Sequence, residues 1–156
     1  LYDNPETAFV ANFLGQSNLI KGRIEGTDGD NLVVDLFGQK IALPKKRSHA
    51  VDNSIYAGIR PEKFRISLVG TPTRGNTLTG GRIEDVSYIG VSTQYQVLMP
   101  WGQEVMVFEQ NDDGVAPFDK GDEVVISWEP GFTFALRGDE DAEAGTEVIP
   151  EDLDEE

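Results

Sequence analysis

The chain has 156 residues, a formal net charge of −15, no cysteine and a single histidine. Its length suits one ordinary domain or two small β-units sharing a core. The absence of cysteine excludes disulfides and thiolate metal sites. No apolar run approaches the roughly 18 residues that a membrane-spanning helix requires, and Leu1-Tyr2-Asp3-Asn4-Pro5 has neither the basic segment nor the hydrophobic stretch of a signal peptide. A start at Leu1 instead of Met suggests a piece of a longer protein.

The first segment, residues 1–16, is expected to form a short helix. Asn4 suits an N-cap and Pro5 the first helical position. Phe9, Val10, Phe13 and Leu14 fall on one face, and Gly15 is a natural stop. A helix this short is marginal alone, so its apolar face must pack on something.

After Gly15 the period shortens to that of strands. Asn18–Glu25, Leu32–Leu36 and Lys40–Leu43 alternate in character, with Asp28-Gly29 and Phe37-Gly38 as hairpin turns between them. Ser54–Arg60 and Phe64–Leu68 follow, broken at Pro61. A Gly/Pro/Thr/Asn connector over Gly70–Asn76 precedes Leu78–Ile89, Thr93–Leu98, Glu104–Phe108, Glu123–Trp128 and Phe132–Leu136. Many short strands punctuated by turns predict an all-β fold of small barrels. Tyr88, Tyr95, Phe108, Trp128, Phe132 and Phe134 lie in apolar strand patterns and are assigned to the core.

A weak internal repeat runs through these strands. Gly22-Arg23-Ile24-Glu25 recurs as Gly81-Arg82-Ile83-Glu84, and Tyr56–Pro61 is echoed by Val125–Pro130. Each echo is a strand meeting an X-Pro break, and proline cannot donate to a ladder, so each belongs at an edge or corner. The offsets differ between the two echoes. The expectation is two related β-units, 17–69 and 76–137, forming either two OB-like barrels or one intertwined pair.

The charge is uneven. Gly138–Glu156 holds ten acids and no base, leaving 18 acids and 13 bases in residues 1–137. Such a tail buries too little apolar surface to offset the entropy of ordering, so residues 138–156 are expected to be disordered. A cation-binding or interaction tail is the alternative. The overall charge argues against a protein that tracks nucleic-acid phosphates.

A search for catalytic machinery returns little. There is no phosphate-cradling Gly-x-x-x-x-Gly-Lys-Ser/Thr loop and no Gly-x-Ser-x-Gly elbow. His49, a lone histidine, has no cysteines to complete a zinc site and would need carboxylates to make any other, and it is expected in an exposed loop with Lys45-Lys46-Arg47, the one basic cluster. That cluster is suited to an anion or an acidic partner. Asn111-Asp112-Asp113-Gly114 lacks the ligand alternation of a calcium loop, so no metal site is assigned. Trp101, between Pro100 and Gly102, is a candidate contact for a partner or ligand, the alternative being a ring folded back over a barrel mouth. Ser92 and Thr93 are candidate ligand groups for an oxyanion, although no anion nest is evident.

Several runs then point one way. Leu1-Tyr2-Asp3-Asn4-Pro5, Phe9-Val10-Ala11 and Phe13-Leu14-Gly15 resemble the segment that follows the nucleotide-binding domain in ABC importer ATPases. Gly58-Ile59-Arg60-Pro61-Glu62 resembles the best-marked motif of their TOBE-type regulatory domain. Val86–Gly90, Thr93-Gln94-Tyr95, Gly121–Val124 and Ser127–Pro130 resemble its polyamine branch, that of the spermidine/putrescine importers. The resemblance covers residues 1–137 and leaves the acidic tail outside. It implies a regulatory domain that supports dimerisation of the ATP-binding subunit, partnered by a second copy and by membrane permease subunits at the inner face of the cell membrane. It also implies that ATP and Mg bind a part of the parent absent here, so this chain holds no cofactor and is no enzyme by itself. Arg60 and Glu62 are the implied corner residues near an interface.

Overall fold

The computed structural model describes residues 7, 17–110 and 118–139. The expected N-terminal helix, and the tail apart from Gly138 and Asp139, lie outside the described residues. Among those described there is no α-helix. Ten strands form two five-stranded antiparallel sheets, with three short 3-10 turns between them.

The strands are β1 (Asn18–Asp28), β2 (Asn31–Leu36), β3 (Gln39–Pro44), β4 (Ser54–Ile59) and β5 (Arg65–Leu68), then β6 (Asn76–Ile89), β7 (Ser92–Leu98), β8 (Glu104–Gln110), β9 (Glu123–Trp128) and β10 (Phe134–Arg137). One sheet has the order β10-β4-β1-β2-β3 and the other β5-β9-β6-β7-β8. Two compact units result: residues 1–60 with 130–156, and residues 61–129.

These boundaries differ from the chain-order division into 17–69 and 76–137. The reason lies at the two prolines. Pro61 and Pro130 each open a 3-10 turn straight after a strand. Proline offers no N–H and disfavours helical geometry in the residue before it, so neither β4 nor β9 extends through its corner. The short strand beyond the first corner, β5, pairs with β9; the one beyond the second, β10, pairs with β4.

The internal repeat is structural. Gly-Arg-Ile-Glu sits on β1 and again on β6, and both ladders slip at its glutamate, between Ile24 and Gly26 and between Ile83 and Asp85. An extra residue of this kind bends and twists the strand. At each bulge the isoleucine amide leaves the ladder and donates to the residue just before the next shared strand. Ile24 N–H reaches Asn53 O at 2.8 Å, and Ile83 N–H reaches Asp122 O at 2.9 Å. The repeat glycine permits close approach in both copies: a Cβ would come within 2.4 Å of Leu36 Cδ2 at Gly22 and within 2.7 Å of Val97 Cγ1 at Gly81.

Alternation decides the core. Val34 and Leu36 on β2, Ile41 and Leu43 on β3, and Ile55, Ala57 and Ile59 on β4 are buried in the first unit, with Phe134, Ala135 and Leu136 of β10. Tyr95, Val97, Val105, Val107, Val124, Ile126 and Trp128 do the same in the second, where Phe64 meets Trp128 edge-on at 5.3 Å. Three aromatics assigned to the core are outside it. Phe108 is half-buried, on the opposite face of β8 from Val105 and Val107. Tyr88 is 64% exposed at the end of β6, where the hairpin runs past the packed layer, and Phe132 is 39% exposed in the turn after Pro130.

Strand β10 is seated by a glycine. Phe134 pairs with Gly58, and a Cβ there would lie 2.2 Å from the Phe134 ring. Gly58→Ala is therefore expected to cost about 1–3 kcal/mol through overpacking, measured by urea unfolding. The cost should shrink in a Phe134→Leu background, because the two positions share one space.

Candidate functional site

The corner Arg60-Pro61-Glu62 marks the passage between the two units. Arg60 is buried, 3% exposed, at the end of β4, whereas Glu62 is exposed in the following turn. A buried guanidinium is a structural element of the corner; of the two charged residues, Glu62 is the one accessible to a partner. Trp101 is half-buried instead of standing clear, and its indole N–H donates to Gln103 Oε1 at 2.8 Å. The ring is thus folded back over its own turn.

Ser92 and Thr93 open β7 beside the two-residue turn Gly90-Val91. Thr93 is fully buried and Ser92 half-buried. On β7, which lies between β6 and β8, Thr93 stands between Tyr88 of β6 and Glu109 of β8, and the next inward row is Val86, Tyr95 and Val107. Glu109 was missed in the sequence, yet the signal is there. Strand β8 reads Val105, Val107, Glu109 on its inward positions, so the alternation that buries two valines also turns a carboxylate inward.

Glu109 does a structural task that no ladder performs. Strands β5 and β8 are the two edges of their sheet, yet they lie close to one another. The Glu109 carboxylate accepts the backbone N–H of Ile66 on β5. Burial pushes its pKa above the ordinary 4.5, with the Ile66 amide acting in the opposite sense. Beside it, the buried Tyr95 hydroxyl makes no regular hydrogen bond among the described residues. Its pKa is pushed up to about 12, first by burial and then by the Glu109 charge. The Tyr95 ring meets Phe118 edge-on at 5.7 Å.

This end of the sheet is a poor seat for a bare oxyanion, since a carboxylate stands directly across from Thr93 and repels negative charge. No group of three or more His, Asp or Glu side chains able to hold a metal occurs among the described residues. His49 is half-buried, not in the exposed loop expected of it: its backbone N–H donates to Ala135 O at 2.9 Å. No helix among the described residues is long and apolar enough to cross a membrane.

A family model, TOBE domain, matches residues 57–136. The chain is similar to C-terminal regions of proteins named spermidine/putrescine import ATP-binding protein PotA. With that of Rubrobacter xylanophilus it is 30% identical over 141 residues, covering 88% of this chain and 36% of the relative. With that of Frankia alni the identity is 32% over 150 residues, covering 87% and 31%. The chain thus spans about a third of the length of these curated relatives. Among solved structures, the cytoplasmic molybdate-binding protein ModG with molybdate bound aligns with a TM-score of 0.61 at 16% identity, covering 76% of this chain and 94% of that one. That likeness is one of fold.

The Glu109 geometry makes a signed prediction. A raised folded-state pKa means that the native state holds the proton more tightly than the unfolded chain. The resulting stabilisation is full below the unfolded value and lost as pH rises through the folded value. Glu109→Gln keeps an acceptor for Ile66 without the charge, so the variant should gain on the native protein as pH rises from 4 to 7. Glu109→Ala leaves the Ile66 amide without its acceptor and should cost about 1–3 kcal/mol. Urea midpoints across that pH range check both.

Proposed function

The chain belongs to the TOBE domain family, and on that footing we propose that it is the regulatory, dimer-supporting C-terminal part of the ATP-binding subunit of a bacterial ABC importer for polyamines. One observation carries this reading. The similarity to the spermidine/putrescine import proteins runs over 88% of the chain, through both units, and so extends well beyond the residues that define a TOBE domain. In this reading each unit is an OB-like barrel. ATP and Mg are held by a part of the parent outside this chain, and the partners are a second copy of the subunit and the membrane permease subunits. The place of work is the cytoplasmic face of the membrane.

A second reading, an oxyanion-binding module, is favoured by the fold likeness to the molybdate-binding ModG. The carboxylate of Glu109 opposite Thr93 counts against Thr93 as its site, and Ser92 stands on the other face of β7.

Sedimentation velocity over a concentration series separates the two. The regulatory reading expects reversible self-association weakened by Glu62→Lys, and no thermal stabilisation by molybdate. A strict monomer whose melting temperature rises with molybdate would overturn it in favour of the second reading, because a ligand that binds only the native state stabilises it by mass action.

A further inference from the structure

Two hairpins of this chain are counterparts, and their tips differ in kind. Strands β1 and β6 carry the same Gly-Arg-Ile-Glu run with a slip in register at its glutamate, and each turns back through two residues, Gly29-Asp30 and Gly90-Val91. In both turns a glycine with left-handed φ comes first, at 62° and 63°. The second position is not bound in that way, and the two copies fill it with opposite chemistry. The β1–β2 tip reads Thr27-Asp28-Gly29-Asp30, the ordinary polar composition of a turn. The β6–β7 tip reads Tyr88-Ile89-Gly90-Val91, with the three side chains each more than half exposed and Val91 at 71%. The fold builds the same turn without apolar side chains, so local structure does not account for them.

The apolar surface extends beyond the hairpin. Each successive pair in β5-β9-β6-β7-β8 is antiparallel, so β5 and β8 run in the same direction. The Ile66 amide of β5 reaches Glu109 of β8, which is level with Thr93 and Tyr88. Leu68 and Val69, both more than half exposed, therefore leave the sheet at the hairpin's end of the unit. Apolar side chains gathered at one end mark a contact surface, whereas the same residues scattered singly would not.

Charge limits what covers this end. Residues 83–110, which form the tip and the strands behind it, hold Glu84, Asp85, Glu104 and Glu109 and no lysine or arginine. An anionic partner, such as a membrane of acidic lipids or a second tip of the same kind, is repelled. The other unit offers the complement. Its described residues, 17–60 and 130–139, carry six acids and eight bases. Lys45 and Lys46 stand exposed on the 3-10 turn after β3, and no ion pair involves either among the described residues. With Asp30, Asn31 and Pro44 they line an open concavity of about 380 Å³, near the lower limit for a binding cleft. Its walls are tied together: Lys45 N–H donates to Asp30 O at 3.0 Å, and Asn31 pairs with Pro44.

We propose that the β6–β7 tip of one copy docks into the Lys45–Lys46 concavity of a second copy. The apolar side chains of the tip fill the concavity, and the lysine ammonium groups face the acidic strands behind it. This inference rests on the dimer-supporting reading and names a surface pair through which that support is given.

The chain has no native cysteine, so single introduced thiols report the contact. A Val91→Cys chain mixed with an Asn31→Cys chain in a glutathione redox buffer should give the mixed disulfide in about tenfold excess over either homodisulfide, because docking raises the effective concentration of the paired thiols. Thr27→Cys in place of Val91→Cys, at the polar tip, should give a statistical mixture. Lys45→Glu/Lys46→Glu in the Asn31→Cys chain should lower the mixed product several-fold, and Lys45→Gln/Lys46→Gln should lower it less. Asp30→Cys serves as the second probe if Asn31→Cys disturbs its hairpin. Dominance of the Val91→Cys homodisulfide would overturn the proposal, since tip would then meet tip. So would a mixed product indifferent to the lysine charges. Sedimentation velocity of the unsubstituted chain separates this inference from the reading beneath it. A dimer that gives only a statistical mixture sinks the contact alone, and a strict monomer sinks both.

Discussion

Everything in this fold depends on two proline corners. A strand cannot continue through a residue that lacks an N–H and disfavours helical geometry before it. After Arg60 and after Glu129 the chain therefore leaves one ladder, makes a single 3-10 turn at Pro61 or Pro130, and joins the other. Neither sheet is complete from a simple half of the sequence. The unit of residues 61–129 is continuous in the chain, but the other has β4 exposed as an edge until β10 arrives from beyond it. An open edge of that kind is an aggregation liability. The closing strand is four residues long, and its seating rests on Phe134 fitting over Gly58.

The same pair of corners explains why the repeat is so faint in sequence. What the two copies share is geometric: a bulge at Glu25 and at Glu84, a glycine three residues earlier where a neighbour presses close, and an isoleucine amide turned out to Asn53 or Asp122. Only the glycine and the bulge constrain residue type tightly, so four identical residues are nearly all that identity retains. Strand positions were legible because alternation in short segments is a direct imprint of a sheet with one buried face. The choice between separate barrels and units that exchange strands was not legible. Pairing of β10 with β4 joins residues about eighty apart, and nothing local to either strand encodes that choice. Tyr88 and Phe132 were misplaced for a related reason: period identifies the inward face of a strand, but not how far along it the packed layer extends.

Of the candidate residues, Arg60 is buried at the corner it was expected to form, and Glu62 beside it is exposed. Trp101 is half-buried in its turn, with its indole N–H on Gln103. Glu109, passed over, is the group that bridges the two edges of its sheet. Its carboxylate accepts the Ile66 amide of β5, and it also places negative charge opposite Thr93. One residue thus serves the fold and restricts the chemistry open to that end of the sheet.

Strand β1 has a different standing from β10. Ser17 leads directly into it, and β1 is flanked on both sides, by β2 and β4, while β4 in turn carries β10. The sheet is therefore entered at an interior strand, whose ladder groups are paired on both edges, and not at an open edge of the kind that invites foreign pairing.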